Sequence, residues 1–403
     1  MARAPALKEI ERYPEADTLE GFAHPRFAPA LIGDAHARAA AAIERQLASG
    51  TAHHAWLITG AQGIGKATLA YAIARYALAA PAERQLSPAS RPASGDPGEA
   101  TTGDTALALV PGSPTARQVE RLSHPALLVL RRPYDLKTKR TLTAIPVDEV
   151  RRLRAFLSHA NAGEGYRVVI VDSADELNNA AANALLKALE EPPSRVLFLL
   201  ISAQPGRLLA TIRSRCRRLE LAPLDDQAMA LAFRQAVTSA PAQPELASGP
   251  DDATWPDLLT LSQGSVRQAL VLAANGGLAL NARIMRIMAA MPKPDWRDIH
   301  ALADDLAPIA KAQQFEAFSD LTAGLIARLV RHAAAGTANA QGPDREAALA
   351  HALITPQTLA SWAQLWETVQ RQRAATLALN LDRKALVLDV FARVARASAA
   401  PVG

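Results

Sequence analysis

The chain has 403 residues, 49% of them hydrophobic and 21% charged, which excludes global disorder and leaves room, at about 150 residues per domain, for more than one domain. Its 44 lysines and arginines against 39 acidic residues leave +5, a mild surplus that permits a nucleic-acid partner without requiring one. The single cysteine, Cys216, excludes an internal disulfide framework and a four-cysteine zinc site, so no zinc is expected. The apolar runs, such as Val196 to Ile201, stop far short of the ~18 residues of a membrane span. Glu9, Glu11 and Glu15 interrupt a start that has no apolar leader core. A soluble, cytoplasmic chain with no membrane partner is expected.

Taken in order, residues 36–48 carry a helical pattern, and Ala55 to Thr59 then make a short apolar strand. His53 and His54 stand just before it; adjacent histidines on an extended segment face opposite ways, which favours capping and packing over metal binding. Gly60-Ala61-Gln62-Gly63-Ile64-Gly65-Lys66 follows the strand at once, and a helix from Ala67 to Leu78 follows the loop. Strand, glycine-rich loop, helix is the setting in which a phosphate loop is credible. Residues 80–118 are rich in Pro, Ala, Ser and Gly and read as a loose surface insertion. Leu127 to Leu130 resumes strand texture, the basic residues Arg131, Arg132 and Lys137 to Arg140 surround a hairpin, and Asp148 to His159 is an amphipathic helix.

A second strong strand, Arg167 to Asp172, leads to a helix over Asn179 to Glu191 that Pro192 and Pro193 stop. Val196 to Ile201 is a third strand, ending at Ser202, and a helix at Leu208–Arg213 and a strand at Arg218–Leu221 complete the unit. Strands alternate with helices and the apolar runs are continuous, as in a parallel sheet buried on both faces. Beyond Pro223 no strand is expected. Residues 225–237 and 256–274 read as helices around a Pro/Ser/Gly linker. Helical patterns recur over 315–335 and 357–375, and again from Asn380, where Asn380 or Asp382 can cap. The expected domains are therefore 1–223, 224–283 and 284–403.

The chemistry concentrates in a few places. Gly60-x4-Gly65-Lys66 fits the phosphate loop G-x4-G-K: glycines let successive backbone amides converge on an anion, the helix N-terminus adds partial positive charge, and the lysine reaches terminal phosphates. The next residue should offer a hydroxyl to Mg²⁺ and is Ala67; Thr68 lies ~100° further round the helix. Val168 to Asp172 resembles a Walker B strand whose aspartate supports the metal. Where ATPases of the AAA+ type follow that aspartate with a glutamate, this chain has Ser173, and Asp175 and Glu176 come two and three positions later. Arg213, Arg215, Arg217 and Arg218 crowd one stretch; the charge fits a solvated face as well as an arginine finger reaching a neighbour's nucleotide. Cys216, with no aligned histidine, reads as a small packed residue.

The combination of Gly60 to Thr68, the run Asn183 to Pro193 (NALLKALEEPP), Ser214-Arg215-Cys216 and Gly264-Ser265-Val266-Arg267 resembles the clamp loader of bacterial DNA polymerase III, and within it the stator. The resemblance spans roughly Ala23 to Ala274, with Asn380 to Lys384 in further support. It implies an α/β P-loop AAA+ module, a parallel sheet with flanking helices, followed by a helical lid and an all-helical collar. Carried over, Gly60, Gly63, Gly65 and Lys66 match the phosphate loop, with Thr68 beside it, and Asp172 the Walker B aspartate. Ser202 matches sensor 1, Arg267 sensor 2, and Arg215 the finger acting in trans. Ala67 and Ser173 fit a stator that holds ATP or ADP without hydrolysis. The partners implied are the tau/gamma motor and delta subunits, and through them the sliding clamp and primed DNA. The four-cysteine zinc module frequent in that family has no cysteine here to build it. An active AAA+ ATPase, with Thr68 and Asp175 as substitutes, is the second reading; a free-standing DNA-binding protein, resting on the basic stretch Arg131 to Arg140, is the third.

Overall fold

The computed structural model describes residues 19, 21–85, 106–135, 140–158, 165–239, 254–335, 345–379 and 381–399. They fall into two compact units: Met1–Gly249 with Ser262–Ala269, and Pro250–Leu261 with Leu270–Gly403.

The first unit is built on five parallel strands. They are β1 (Ala55–Thr59), β2 (Leu127–Leu130), β5 (Arg167–Val171), β6 (Val196–Ser202) and β7 (Arg217–Glu220), in the spatial order β2-β5-β6-β1-β7. The expected hairpin is present as β3 (Tyr134–Asp135) against β4 (Arg140–Thr141); Lys137 to Lys139, between them, lie outside the described residues. The three inner strands are buried along their whole length, while β7 at one edge is largely exposed. Strand geometry then splits each continuous apolar run between two cores. Trp56, Ile58, Val168, Ile170, Leu197 and Leu199 face one core; Ala55, Leu57, Val169, Val171, Phe198 and Leu200 face the other.

Helices α1 (Asp34–Ala48) and α2 (Lys66–Leu78) pack on the first core, and α4 (Val147–Ser158), α5 (Asn179–Glu190) and α6 (Ala210–Arg215) on the second. Helix α3 (Pro114–Glu120) begins inside the stretch 80–118 expected to be a loose insertion, and runs past its end. There the structure differs from that expectation at both ends. Ala106, Leu107 and Val119 are buried, Ser113 caps α3, and Arg84 bridges to Leu109. The buried carboxylate of Glu44 accepts from the Leu107 amide and the Tyr76 hydroxyl, which anchors the returning chain to α1 and α2. Residues 86–105, in the middle of the stretch, lie outside the described residues.

Past the sheet, α7 (Asp226–Thr238) belongs with the first unit, so the helices expected as a separate lid over 224–283 are shared between the two units. The helix expected over 256–274 is two, α8 (Trp255–Ser262) and α9 (Val266–Ala274). Gln263 and Gly264 break it with φ of 50° and 75°. Gly264 is required there: a Cβ would stand 2.6 Å from the Leu224 carbonyl oxygen and 2.5 Å from Pro223.

The second unit is helical throughout its described residues. It holds α10 (Gly277–Ala289), α11 (Trp296–Leu306), α12 (Ala312–Ala335), α13 (Arg345–Leu353), α14 (Leu359–Leu379) and α15 (Arg383–Ala399). Trp362, Phe315, Phe318 and Phe391 fill its core. Arg328 on α12 grips Glu346 on α13 through two bonds of 2.7 and 3.0 Å, a fork geometry that fixes the helix pair. Asp382 caps α15 by accepting from the Lys384 amide at 2.9 Å; Asn380 lies outside the described residues. No helix among the described residues is long and apolar enough to cross a membrane.

Candidate nucleotide-type site

The C-terminal ends of the parallel strands converge on the glycine loop, the place where open α/β sheets bind ligands. Thr59 ends β1, Asp172 follows β5 and Ser202 ends β6, with Thr59 and Ser202 in register as neighbours. Ser202 is fully buried, and among the described residues its hydroxyl has no hydrogen-bond partner.

The loop is tied down carbonyl by carbonyl. The Lys66 ammonium donates to the Gly60 and Ala61 oxygens at 2.9 and 2.6 Å. Ser265 donates its hydroxyl to the Gln62 oxygen at 2.8 Å, the Arg267 amide donates to Gly63 at 3.4 Å, and the Leu69 amide takes Gly65. His36 completes the set: its Nε2 lies 2.7 Å from the Ile64 oxygen, and burial lowers its pKa, so the neutral ring donates there. Among the described residues, the amides of Gln62 to Gly65 donate to no protein acceptor. Gly65 N-caps α2 without a side-chain cap, so the helix opens with free donors as well. These donors suit an anion.

Lys66 is 7% exposed. Burial lowers its pKa to about 8; the carboxylates of Asp175 and, to a lesser extent, Asp172 pull it back up. Asp175 stands two positions past Ser173, the place where AAA+ ATPases carry their glutamate. Ser173 sits in the left-handed region, at φ 60°, and starts a single turn, Ala174–Glu176, that folds the chain back. Asp175 is then held by the Ala203 amide at 3.2 Å, just past Ser202. A non-glycine residue at positive φ cannot be read from sequence. His36 and Ser265 escaped for a similar reason, since they reach the loop from 28 and 203 residues away.

Ser265 and Arg267 cover the outer face of the loop closely. A Cβ at Gly63 would stand 2.3 Å from the Ser265 hydroxyl and 2.5 Å from Arg267 Cβ. The structure thus brings together Gly60, Gly63, Gly65, Lys66, Asp172, Ser202 and Arg267. Thr68 lies in the first turn of α2, half-buried, one residue past Ala67. The donors present fit a polyphosphate; Ala67 leaves the usual metal-binding hydroxyl missing.

Arg215 is not part of this cluster. Its guanidinium pairs with Glu190 at 2.8 Å and donates to the Thr211 oxygen at 3.0 Å, with 35% of the side chain exposed. The other arginines of the stretch are sorted differently. Arg213 donates to the Pro205 oxygen, Arg217 lies over the Trp56 ring, and Arg218 reaches Thr59 and Glu220. Burial pushes the Cys216 thiol up to about 12, which leaves no thiolate at neutral pH. His53 and His54 do not face opposite ways: the segment bends, and their rings stack with centroids 4.4 Å apart. The capping expected of them is seen at His53, which bonds the Ala55 backbone.

The family described as DNA polymerase III, delta subunit, matches residues 107–225. DNA polymerase III subunit delta' of Escherichia coli is 29% identical over 86% of this chain and 90% of its own length. The delta' subunit of Pseudomonas aeruginosa is 34% identical over 47% of this chain and 54% of its own. Over most of its length the chain is thus similar to DNA polymerase III subunit delta'. The gamma/tau subunit of Mycobacterium tuberculosis is also similar, at 28% identity over 60% of this chain and 35% of that protein.

Proposed function

We propose that this delta-prime-type chain is the ATPase-defective stator of a clamp loader, joining tau/gamma motor and delta subunits to place the sliding clamp on primed DNA. In that ring Arg215 enters the neighbouring motor subunit's nucleotide site in trans. The reading rests on the uneven state of the two halves of an ATPase site. The half that would hold this chain's own nucleotide lacks the metal-side hydroxyl at Ala67, has Ser173 where a glutamate is needed, and lies under Ser265 and Arg267. The half that would serve a neighbour, Arg215, keeps its charge at a partly exposed position. ATP or ADP, when present, would be held by Lys66 and the loop amides, with Arg267 and Ser202 beside it; the nucleotide supplies the phosphates, and no zinc takes part.

One observation favours the second reading, an active ATPase. Asp175 acts on Lys66 more strongly than Asp172 does, so a carboxylate does stand near the missing glutamate's place. Clamp- and DNA-stimulated ATP turnover of the reconstituted loader separates the two. On the stator reading Arg215→Ala lowers turnover with the complex still assembled, while Lys66→Ala leaves it unchanged. Loss of turnover with Lys66→Ala in an assembled complex decides for the active ATPase.

A further inference from the structure

The Arg215 side chain does not hang free at the end of α6. Glu190, the last residue of α5, holds one guanidinium nitrogen at 2.8 Å, and the Thr211 carbonyl one turn back holds another at 3.0 Å. Two anchors from two helices define one rotamer for a side chain that otherwise samples many. The Glu190 contact has the length of a charge-assisted bond, and the Thr211 contact that of an ordinary hydrogen bond. They consume only part of the donor capacity, because a guanidinium carries five N–H groups. The remaining edge belongs to a side chain that is 35% exposed. The neighbouring arginines are held differently: Arg213 has a single backbone acceptor, Arg217 stacks on an indole and reaches Gln46, and the more exposed Arg218 has only the longer contacts to Thr59 and Glu220, at 3.3 and 3.2 Å.

We infer that Glu190 is the positioning residue of the Arg215 finger, fixing the guanidinium on one edge so that its other edge is presented, already ordered, to a phosphate on the neighbouring subunit. This rests on the trans-acting role proposed above. A preordered cation loses less freedom when the phosphate arrives than a mobile one does. A lysine at 215 would not substitute, since a point charge cannot bond Glu190 and a phosphate on two edges of one plane.

Two measurements test it. In the isolated full chain, dicarbonyl labelling of Arg215, followed by mass spectrometry, reads the pair directly. Glu190→Gln is expected to speed labelling several-fold, and an unchanged rate overturns the inference. In the reconstituted loader, Glu190→Gln is expected to lower kcat for ATP about tenfold at the neighbour's site with little change in KM, and Glu190→Asp to recover part of it. In an Arg215→Ala background the same change should have no further effect. An equal loss in both backgrounds means that Glu190 acts independently of Arg215 and overturns the positioning role. Turnover untouched by Arg215→Ala removes the finger itself and the inference with it; the labelling result still reports the pair, so the two failures are told apart.

Discussion

The phosphate loop and the Arg215 edge belong to the same unit, and they are built to opposite specifications. Around the loop, the carbonyls of Gly60 to Gly65 are each taken by a lysine, a serine, a histidine or a backbone amide, and the lysine itself is buried. At Arg215 a long charged side chain is held through two of its nitrogens and is partly open to solvent. Interactions that tie down a loop are fully expressed within one chain. A charge kept at the surface retains donors that a partner's acceptor could use. The contrast is what a subunit that retains an inherited nucleotide fold, but acts on a neighbour, would show.

The comparison is broken most severely at Arg215. Arg215→Ala should cut turnover at the adjoining motor site by on the order of 10³-fold, while urea unfolding of the chain moves by less than ~1 kcal/mol, as for an exposed ion pair. A result in which stability falls and turnover does not would make Arg215 a structural residue. Gly63→Val is the mirror experiment. A β-branched residue at φ 80° set against Ser265 and Arg267 is expected to destabilise by about 2–3 kcal/mol, read as a lowered urea midpoint at unchanged slope.

Lys66 sharpens the comparison further. Its ammonium titrates near 8, so affinity of the loop for pyrophosphate should be full below that pH and decline as pH rises through it. Asp175→Asn should push the midpoint lower, and further than Asp172→Asn does, because both carboxylates favour the charged form and Asp175 acts more strongly. Proton NMR titration of the lysine side chain reads both shifts. The linkage has a definite sign. Between about 8 and the ordinary lysine value of 10.5 the unfolded chain binds more protons at this group, so the destabilisation from burying Lys66 fades as pH increases over that range. The smallest effect is expected at Arg213, where Arg213→Ala removes one exposed bond to Pro205 and should change stability by under ~0.5 kcal/mol, with turnover unaffected.

Much of the fold was legible beforehand. The continuous apolar runs at Arg167 and Val196 announced buried parallel strands, and Pro192-Pro193 announced the end of α5. What failed was set by distant contacts. The break at Gly264 follows from the approach of Leu224, forty residues back in the chain, and nothing in the helical pattern of 256–274 reports it. The ends of the 80–118 stretch are ordered because Glu44 captures Leu107 across 63 residues, which outweighs a Pro- and Ser-rich composition.

The candidate site divides along the same line. G-x4-G-K, Asp172, Ser214-Arg215-Cys216 and the substitutions Ala67 and Ser173 are local spacings, so the sequence alone determined which side chains are available and which are missing. Their environment was decided only in three dimensions. Burial sets the charge of Lys66, a left-handed turn at Ser173 returns Asp175 to the loop, His36 and Ser265 hold the loop from afar, and Glu190 meets Arg215 across two helices. The physical reason is that spacing is a property of neighbours along the chain, whereas desolvation, hydrogen-bond partners and ion pairs are properties of neighbours in space.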